Sequence, residues 1–150
     1  MRKLLLGLTV ATVSAVALPE LSPAYAQQPK FDIKGFTRKT MEEQVLAGYL
    51  TELNGKYKMT VSQFTFEPGG YVGPHHHAGP GFRCVLSGEV TNVHEDGKSM
   101  VYKTGECYWE TGDQSHTPRN NGDKEAVGLI IELLPVSLTG SSLLPVPQNK

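Results

Sequence analysis

The chain is predicted to be an all-β barrel or sandwich. Short strand-like runs follow one another along most of its length, and Gly, Pro, Asn and Asp punctuate them. No segment carries a convincing helical repeat of apolar residues. Many short strands joined by turns are the pattern of sheets that close or stack.

The elements are justified in chain order. Residues 1–26 are expected to be a signal peptide. Arg2 and Lys3 precede an uncharged, mostly apolar run from Leu4 to Leu18, and Ala24-Tyr25-Ala26 supplies a cleavage site after Ala26. That run is short and interrupted for a membrane span; an uncleaved anchor is the competing reading. Cleavage predicts a periplasmic or secreted bacterial protein with no membrane partner. Residues 27–45 are expected to be an N-terminal arm, a polar lead-in crossing the barrel surface. The barrel is assigned to residues 46–135.

Within it, Val45–Leu53 is expected as a strand ending at the turn signal Asn54-Gly55. Tyr57–Phe66 follows. Tyr57, Met59 and Val61 alternate, and Phe64 and Phe66 fall one step out of phase, which predicts a bulge. Phe82–Leu86, Val90–His94, Met100–Tyr102, Cys107–Trp109 and Val127–Leu134 complete the strands, with Asp96-Gly97 as a second hairpin signal. Residues 136–150, rich in Pro, Ser, Thr and Gly, are expected to be a C-terminal arm. Its scattered Leu and Val are suited to cover a sheet edge or a neighbouring subunit.

Composition excludes some functions. The chain carries 14 Lys and Arg against 15 Asp and Glu, and without Arg2, Lys3 and Glu20 the balance is 12 against 14. No basic patch or charge run stands out, which argues against nucleic acid as a partner. The two cysteines, Cys84 and Cys107, suit either a disulfide in an oxidising compartment or two buried thiols.

The chemistry concentrates in two segments. Pro74 favours an extended entry into His75-His76-His77. Residues two apart on a strand share a face, so His75 and His77 can aim at one centre while His76 points away. The second segment, Gly105 to Asn120, runs strand, turn, then His116. A third imidazole from another strand completes the usual minimum of a metal site with open positions. His75, His77 and His116 are therefore the candidate ligands of one divalent ion, and imidazole suits Fe, Mn, Zn, Ni and Cu by degrees. His76 and His94 are expected at the surface or behind the ligands.

Together the two segments resemble the cupin superfamily, specifically small single-domain proteins of the cupin-2 type. Gly69, His75, His77 and Gly88 match the first motif, and Gly105, His116 and Asn120 match the second, with Thr111 and Asp113 in place of its proline and glycine. The resemblance spans roughly Leu50 to Leu134. It implies a double-stranded β-helix, a jelly-roll barrel with the metal in its mouth. One position departs from the pattern: the family's glutamate ligand falls at Gly81, so three ligands carry over and not four.

Arg83 and Glu110 are the candidate catalytic residues. Arg83 lies two residues beyond Gly81 and should face the interior. There it either anchors a carboxylate or enolate of a ligand or pairs with an internal glutamate. Glu110 is expected to support the ligands, or else to be a solvated turn carboxylate. Of Tyr108 and Trp109, one should line the cavity.

Three functions fit these residues. The first is a metal-dependent enzyme, dioxygenase-like or isomerase- or lyase-like, acting on a small and possibly anionic organic molecule. The others are a periplasmic protein that binds a metal or small metabolite without turnover, and a purely structural barrel. A homodimer is compatible with a barrel of this kind.

Overall fold

The computed structural model describes residues 31–146, and every regular element among them is a strand. In chain order these are β1 (Ile33–Val45), β2 (Tyr57–Val72), β3 (His75–His77), β4 (Gly81–Ser87), β5 (Glu89–His94), β6 (Ser99–Lys103), β7 (Cys107–Glu110), β8 (His116–Arg119), β9 (Ala126–Pro135) and β10 (Leu143–Pro145). The expected signal peptide lies outside the described residues.

All pairings are antiparallel, and they group the strands into two faces. One face runs β1-β2-β9-β4-β7 and the other β10-β3-β8-β5-β6, joined where Tyr71 of β2 meets Arg119 of β8. Neighbours such as β2 with β9 and β4 with β9 are far apart in sequence. This is the jelly-roll topology of the double-stranded β-helix, as the sequence motifs imply.

Alternation of side chains builds the core. Inward residues of β2, β4, β5 and β9 meet as Phe64, Phe66, Val72, Val85, Val90, Ala126 and Ile130. Each fully buried large apolar side chain is worth about 1.5–3 kcal/mol relative to exposure. Phe64 needs the glycine opposite it: a Cβ on Gly128 would overlap the Phe64 ring and the Cys84 carbonyl oxygen.

The structure corrects three expectations and sharpens a fourth. The arm placed at residues 27–45 is, from Ile33 on, a strand paired with β2 along its length. Its polar composition reflects its place at the edge of the sheet, where most of its side chains meet water. Of the strand expected at Val45–Leu53, only Val45 is in a strand, as the last residue of β1, and Leu46–Leu53 is not. Leu46–Leu53 lies in the loop between β1 and β2, which Gly55 helps to close with φ of 67° and an N–H donated to the Leu46 carbonyl.

The phase change in β2 is no bulge either, since its register with β9 runs unbroken from Tyr57 to Phe66. Thr60, Ser62, Phe64 and Phe66 all point inward, and Met59 and Val61 point outward. The inner face is polar at one end and apolar at the other, which mimics a shift of phase. The breaks in register fall at Met41 of β1, at residues 67–70 of β2 opposite Gly35, and near the end of β4. Last, part of the expected C-terminal arm forms β10 and pairs with β3 at the histidines. This is the sheet-edge cover that its leucines suited.

Candidate metal centre

The histidines are placed by two short strands. In β3, His75 and His77 point inward and His76 turns away half-buried, as strand parity requires. β8 brings His116 directly opposite His75. The ring centroids lie 4.9 Å apart for His75 and His77, 4.5 Å for His75 and His116, and 5.2 Å for His77 and His116. One ring nitrogen of each falls within 4.8 Å of the other two. Bonds of about 2.1 Å to one ion are within small side-chain adjustments of this spacing.

The surroundings prepare each ring for that role. Nδ1 of His75 lies 2.8 Å from the Gly73 carbonyl oxygen, which can only accept, so this nitrogen carries the proton. Nδ1 of His116 faces the Gln114 carbonyl at 3.4 Å. Nδ1 of His77 stands 2.9 Å from Oε1 of Glu132, although its N–H does not point squarely at that oxygen. Each proton is thus drawn to the outer nitrogen, and the Nε2 lone pairs are left to converge. Burial, reinforced by the mutual repulsion of the rings and by Arg83, lowers His75 and His116 to about 3. Burial also lowers His77, to about 4, against the pull of Glu132. The rings are neutral near pH 7, the state in which imidazole binds a metal.

Behind the histidines lies an ionic network. Glu132 of β9 is fully buried and accepts from Arg38 at 2.6 Å, Arg83 at 3.0 Å and Ser142 at 2.9 Å. Burial alone would raise its carboxyl, but the His77 contact and the two guanidinium groups hold it well below the usual carboxylate range. Arg83 is buried and inward, as parity predicts, and it pairs with internal glutamates. Its Nη2 contacts Glu132 and also Oε2 of Glu110, at 2.9 Å.

Glu110 is no solvated turn residue. It is buried at the end of β7, and its oxygens lie 3.4 Å from Nε2 of His77 and 3.4 Å from Nε2 of His116. Burial raises its carboxyl against the pull of Arg83. A carboxylate therefore does stand at the imidazoles, although the position expected to provide one is Gly81.

A cavity of about 30 Å³ adjoins the cluster, enough for an ion with one or two small ligands. Phe36, Phe64, Phe66, Val72 and Ile130 form its apolar wall. Tyr108 also lines it, and Trp109 points outward to solvent. His94 pairs with His116 across β5 and β8 but stands outside the ligand cluster.

Sequence reasoning missed Glu132, Arg38 and Ser142. Glu132 had a signal: it is the one charged residue in the apolar run Val127–Leu134. Arg38 and Ser142 had none, because both lie in segments that read as arms.

Residues 62–132 match the family model Cupin_2, cupin domain. The fold is similar to that of a cupin-like protein from Thermotoga maritima, with 22% identity and a TM-score of 0.57 over 77% of this chain and 82% of that one. It is also similar to the polyketide cyclase RemF from Streptomyces resistomycificus, with 18% identity and a TM-score of 0.53 over 71% and 75% of the two chains. A double-stranded β-helix protein from Klebsiella pneumoniae gives 19% identity and 0.53 over 74% and 85%. At these identities the likeness is one of fold. No curated protein matches the chain. The family match, the jelly-roll topology and the histidines of both motifs agree, and residues 62–132 form a cupin domain of the cupin-2 type.

Proposed function

We propose that this protein is an exported metal-dependent enzyme acting on a small, chelating or anionic organic molecule. The observation that carries the reading is the convergence of three neutral imidazoles beside an apolar-walled cavity. A divalent ion bound there supplies Lewis acidity toward a carbonyl or enolate oxygen, which suits isomerase, lyase or dioxygenase chemistry. His75, His77 and His116 hold the ion. The phenylalanines exclude water, and Arg83 holds the Glu110 carboxylate at the edge of the cavity. The likeness to a polyketide cyclase is one of fold, and the small cavity favours a smaller substrate than a polyketide.

The test is elemental analysis of the purified protein beside His75→Ala and His116→Ala. Turnover is then assayed against diketones, catechols and hydroxy acids, with oxygen uptake and product spectra followed together. One equivalent of metal in the parent protein, its loss in both variants and turnover of one compound class support the reading. A parent protein that takes up none of Fe, Mn, Zn, Ni or Cu overturns it.

The small size of the cavity favours a second reading, a protein that binds a metal or small metabolite without turnover. Stoichiometric metal with no product across the panel is its signature. Export is part of the proposal and rests on the N-terminal segment; a mature chain beginning at Gln27 in the periplasmic or secreted fraction checks it. A homodimer through the outer face of β4 and β7, where Phe82 and Trp109 are about half exposed and edge to face, is checked by light scattering. The charge balance gives no reason to add nucleic acid to these partners.

A further inference from the structure

We propose that Glu110 is a fourth ligand of the metal, delivered from β7 across the strand pair in place of a side chain at Gly81. The proposal rests on the reading of the three histidines as a metal centre and adds to it a residue outside the positions where the family motifs place ligands.

Three observations carry it. The first is distance. Glu110 Oε2 lies 3.4 Å from His77 Nε2, and Oε1 lies 3.4 Å from His116 Nε2. Atoms bonded at about 2.1 Å to one ion stand roughly 3.0 to 3.4 Å apart. The carboxylate therefore already sits at the separation of neighbouring ligands.

The second is the mismatch of lone pairs. Nδ1 of His77 lies 2.9 Å from Oε1 of Glu132, and Nδ1 of His116 lies 3.4 Å from the Gln114 carbonyl oxygen, acceptors that favour the proton on these nitrogens. Their Nε2 atoms therefore present lone pairs, and so do the carboxylate oxygens opposite them. Acceptors gathered in this way in a buried place call for a cation between them. Arg83 Nη2 stands 2.9 Å from Oε2 as an ion pair but donates no hydrogen bond to it, and Asn92 donates to Oε1 at 3.4 Å.

The third is the strand register. Gly81 and Glu110 are direct partners in the β4–β7 ladder, so their inward positions reach the same region. No side chain fits at Gly81: a Cβ there would overlap the Ile131 carbonyl oxygen and come within 2.6 Å of Arg83 Nη1. Arg83 occupies the space on β4 and grips the carboxylate that arrives from β7. The negative charge missing from β4 is returned from the adjacent strand.

This has a consequence for the metal. Four protein ligands fill a tetrahedral ion completely, and they leave two positions on a six-coordinate one. A catalytic centre of this composition requires an ion that expands beyond four ligands.

The experiment uses the full mature protein, stripped with chelator and titrated with Zn(II) against a chromophoric competitor. Co(II) is titrated in parallel with its visible absorption recorded. Glu110→Gln and Glu110→Asp are compared with the parent, and circular dichroism confirms that each variant is folded. The expected result is one equivalent bound by the parent. Glu110→Gln should bind more weakly by about tenfold or more and shift the Co(II) absorption, with Glu110→Asp between the two. A residue that only supported the histidines would leave the Co(II) spectrum unchanged. If Glu110→Gln fails to fold, Glu110→Asp and the infrared carboxylate bands of the parent, with and without Zn(II), decide the question. Parent-like affinity and spectrum in the folded variants, or carboxylate bands indifferent to Zn(II), overturn the fourth ligand while leaving the three-histidine centre intact. A parent that binds neither ion overturns the centre itself.

Discussion

Nδ1 of His77 stands 2.9 Å from Oε1 of Glu132, a carboxylate fully removed from water and shared with Arg38 and Arg83. The contact draws the imidazole proton outward and leaves Nε2 free for a metal, and the two arginines keep the carboxylate charged. Glu132→Gln is expected to weaken metal binding by roughly 10–100-fold, the usual effect of losing a partner behind a ligand. Glu132→Ala is expected to cost about 3–5 kcal/mol of stability as well, because two guanidinium groups lose a buried counter-charge. Competition titration and urea unfolding read the two effects separately.

The three histidines make the chelator-treated protein sensitive to acid. Their folded pKa values, about 3 for His75 and His116 and about 4 for His77, lie below the unfolded value. The unfolded chain therefore binds protons that the folded one refuses. Stability is fully present above roughly pH 6.5 and falls as the pH drops toward 4 and then 3, by up to about 1.4 kcal/mol per pH unit for each ring. Urea midpoints between pH 7.5 and 5 check this and stay above the range in which Glu132 titrates. Glu110, whose carboxyl burial raises, contributes with the opposite sign, so the profile is read in Glu110→Gln as well. A flat profile in that variant would mean that the rings are solvated.

Cys84 and Cys107 face each other across β4 and β7 and form a disulfide. β7 pairs with β4 alone among the described strands, and it carries Tyr108 and Glu110. The bond closes a loop with a sequence separation of 23, for which chain entropy gives roughly 3 kcal/mol. The double variant Cys84→Ser with Cys107→Ser is expected to lose about that much. Its metal affinity should also fall, since an edge strand that frays takes Glu110 with it. Thermal melts with and without reductant, run beside metal titrations, test both parts.

Much of this centre was legible because its signals are local. His75 and His77 share a face by the two-residue period of a strand, and the structure turns both inward. His116 was reachable through the spacing of a second motif. Arg83 followed from parity, but its partner did not, because Glu132 is 49 residues away and pairing of β4 with β9 cannot be read from either strand alone. Arg38 was hidden for another reason. β1 is an exposed edge strand with little apolar content, so its sequence looks like a polar tail while one of its side chains reaches the buried carboxylate. The polar inner end of β2, with Thr60 and Ser62, misled in the same way. An apolar alternation assumes an apolar interior, and this barrel has charges inside it.

Gly81 offers the last test, because there the backbone itself decides where the carboxylate comes from. A methyl group at this position meets the Ile131 carbonyl oxygen, which belongs to the central strand β9, and Arg83 Nη1. The carbonyl is fixed by the sheet, so the arginine is the more mobile of the two. Gly81→Ala is expected to cost about 3 kcal/mol or more, because the backbone of β4 must move away from that carbonyl as well, read by urea unfolding. It should also weaken metal binding, because displacing Arg83 releases its 2.9 Å hold on Glu110. Loss of stability with unchanged metal affinity would show that Glu110 keeps its place without the arginine, and that the strand register alone positions it.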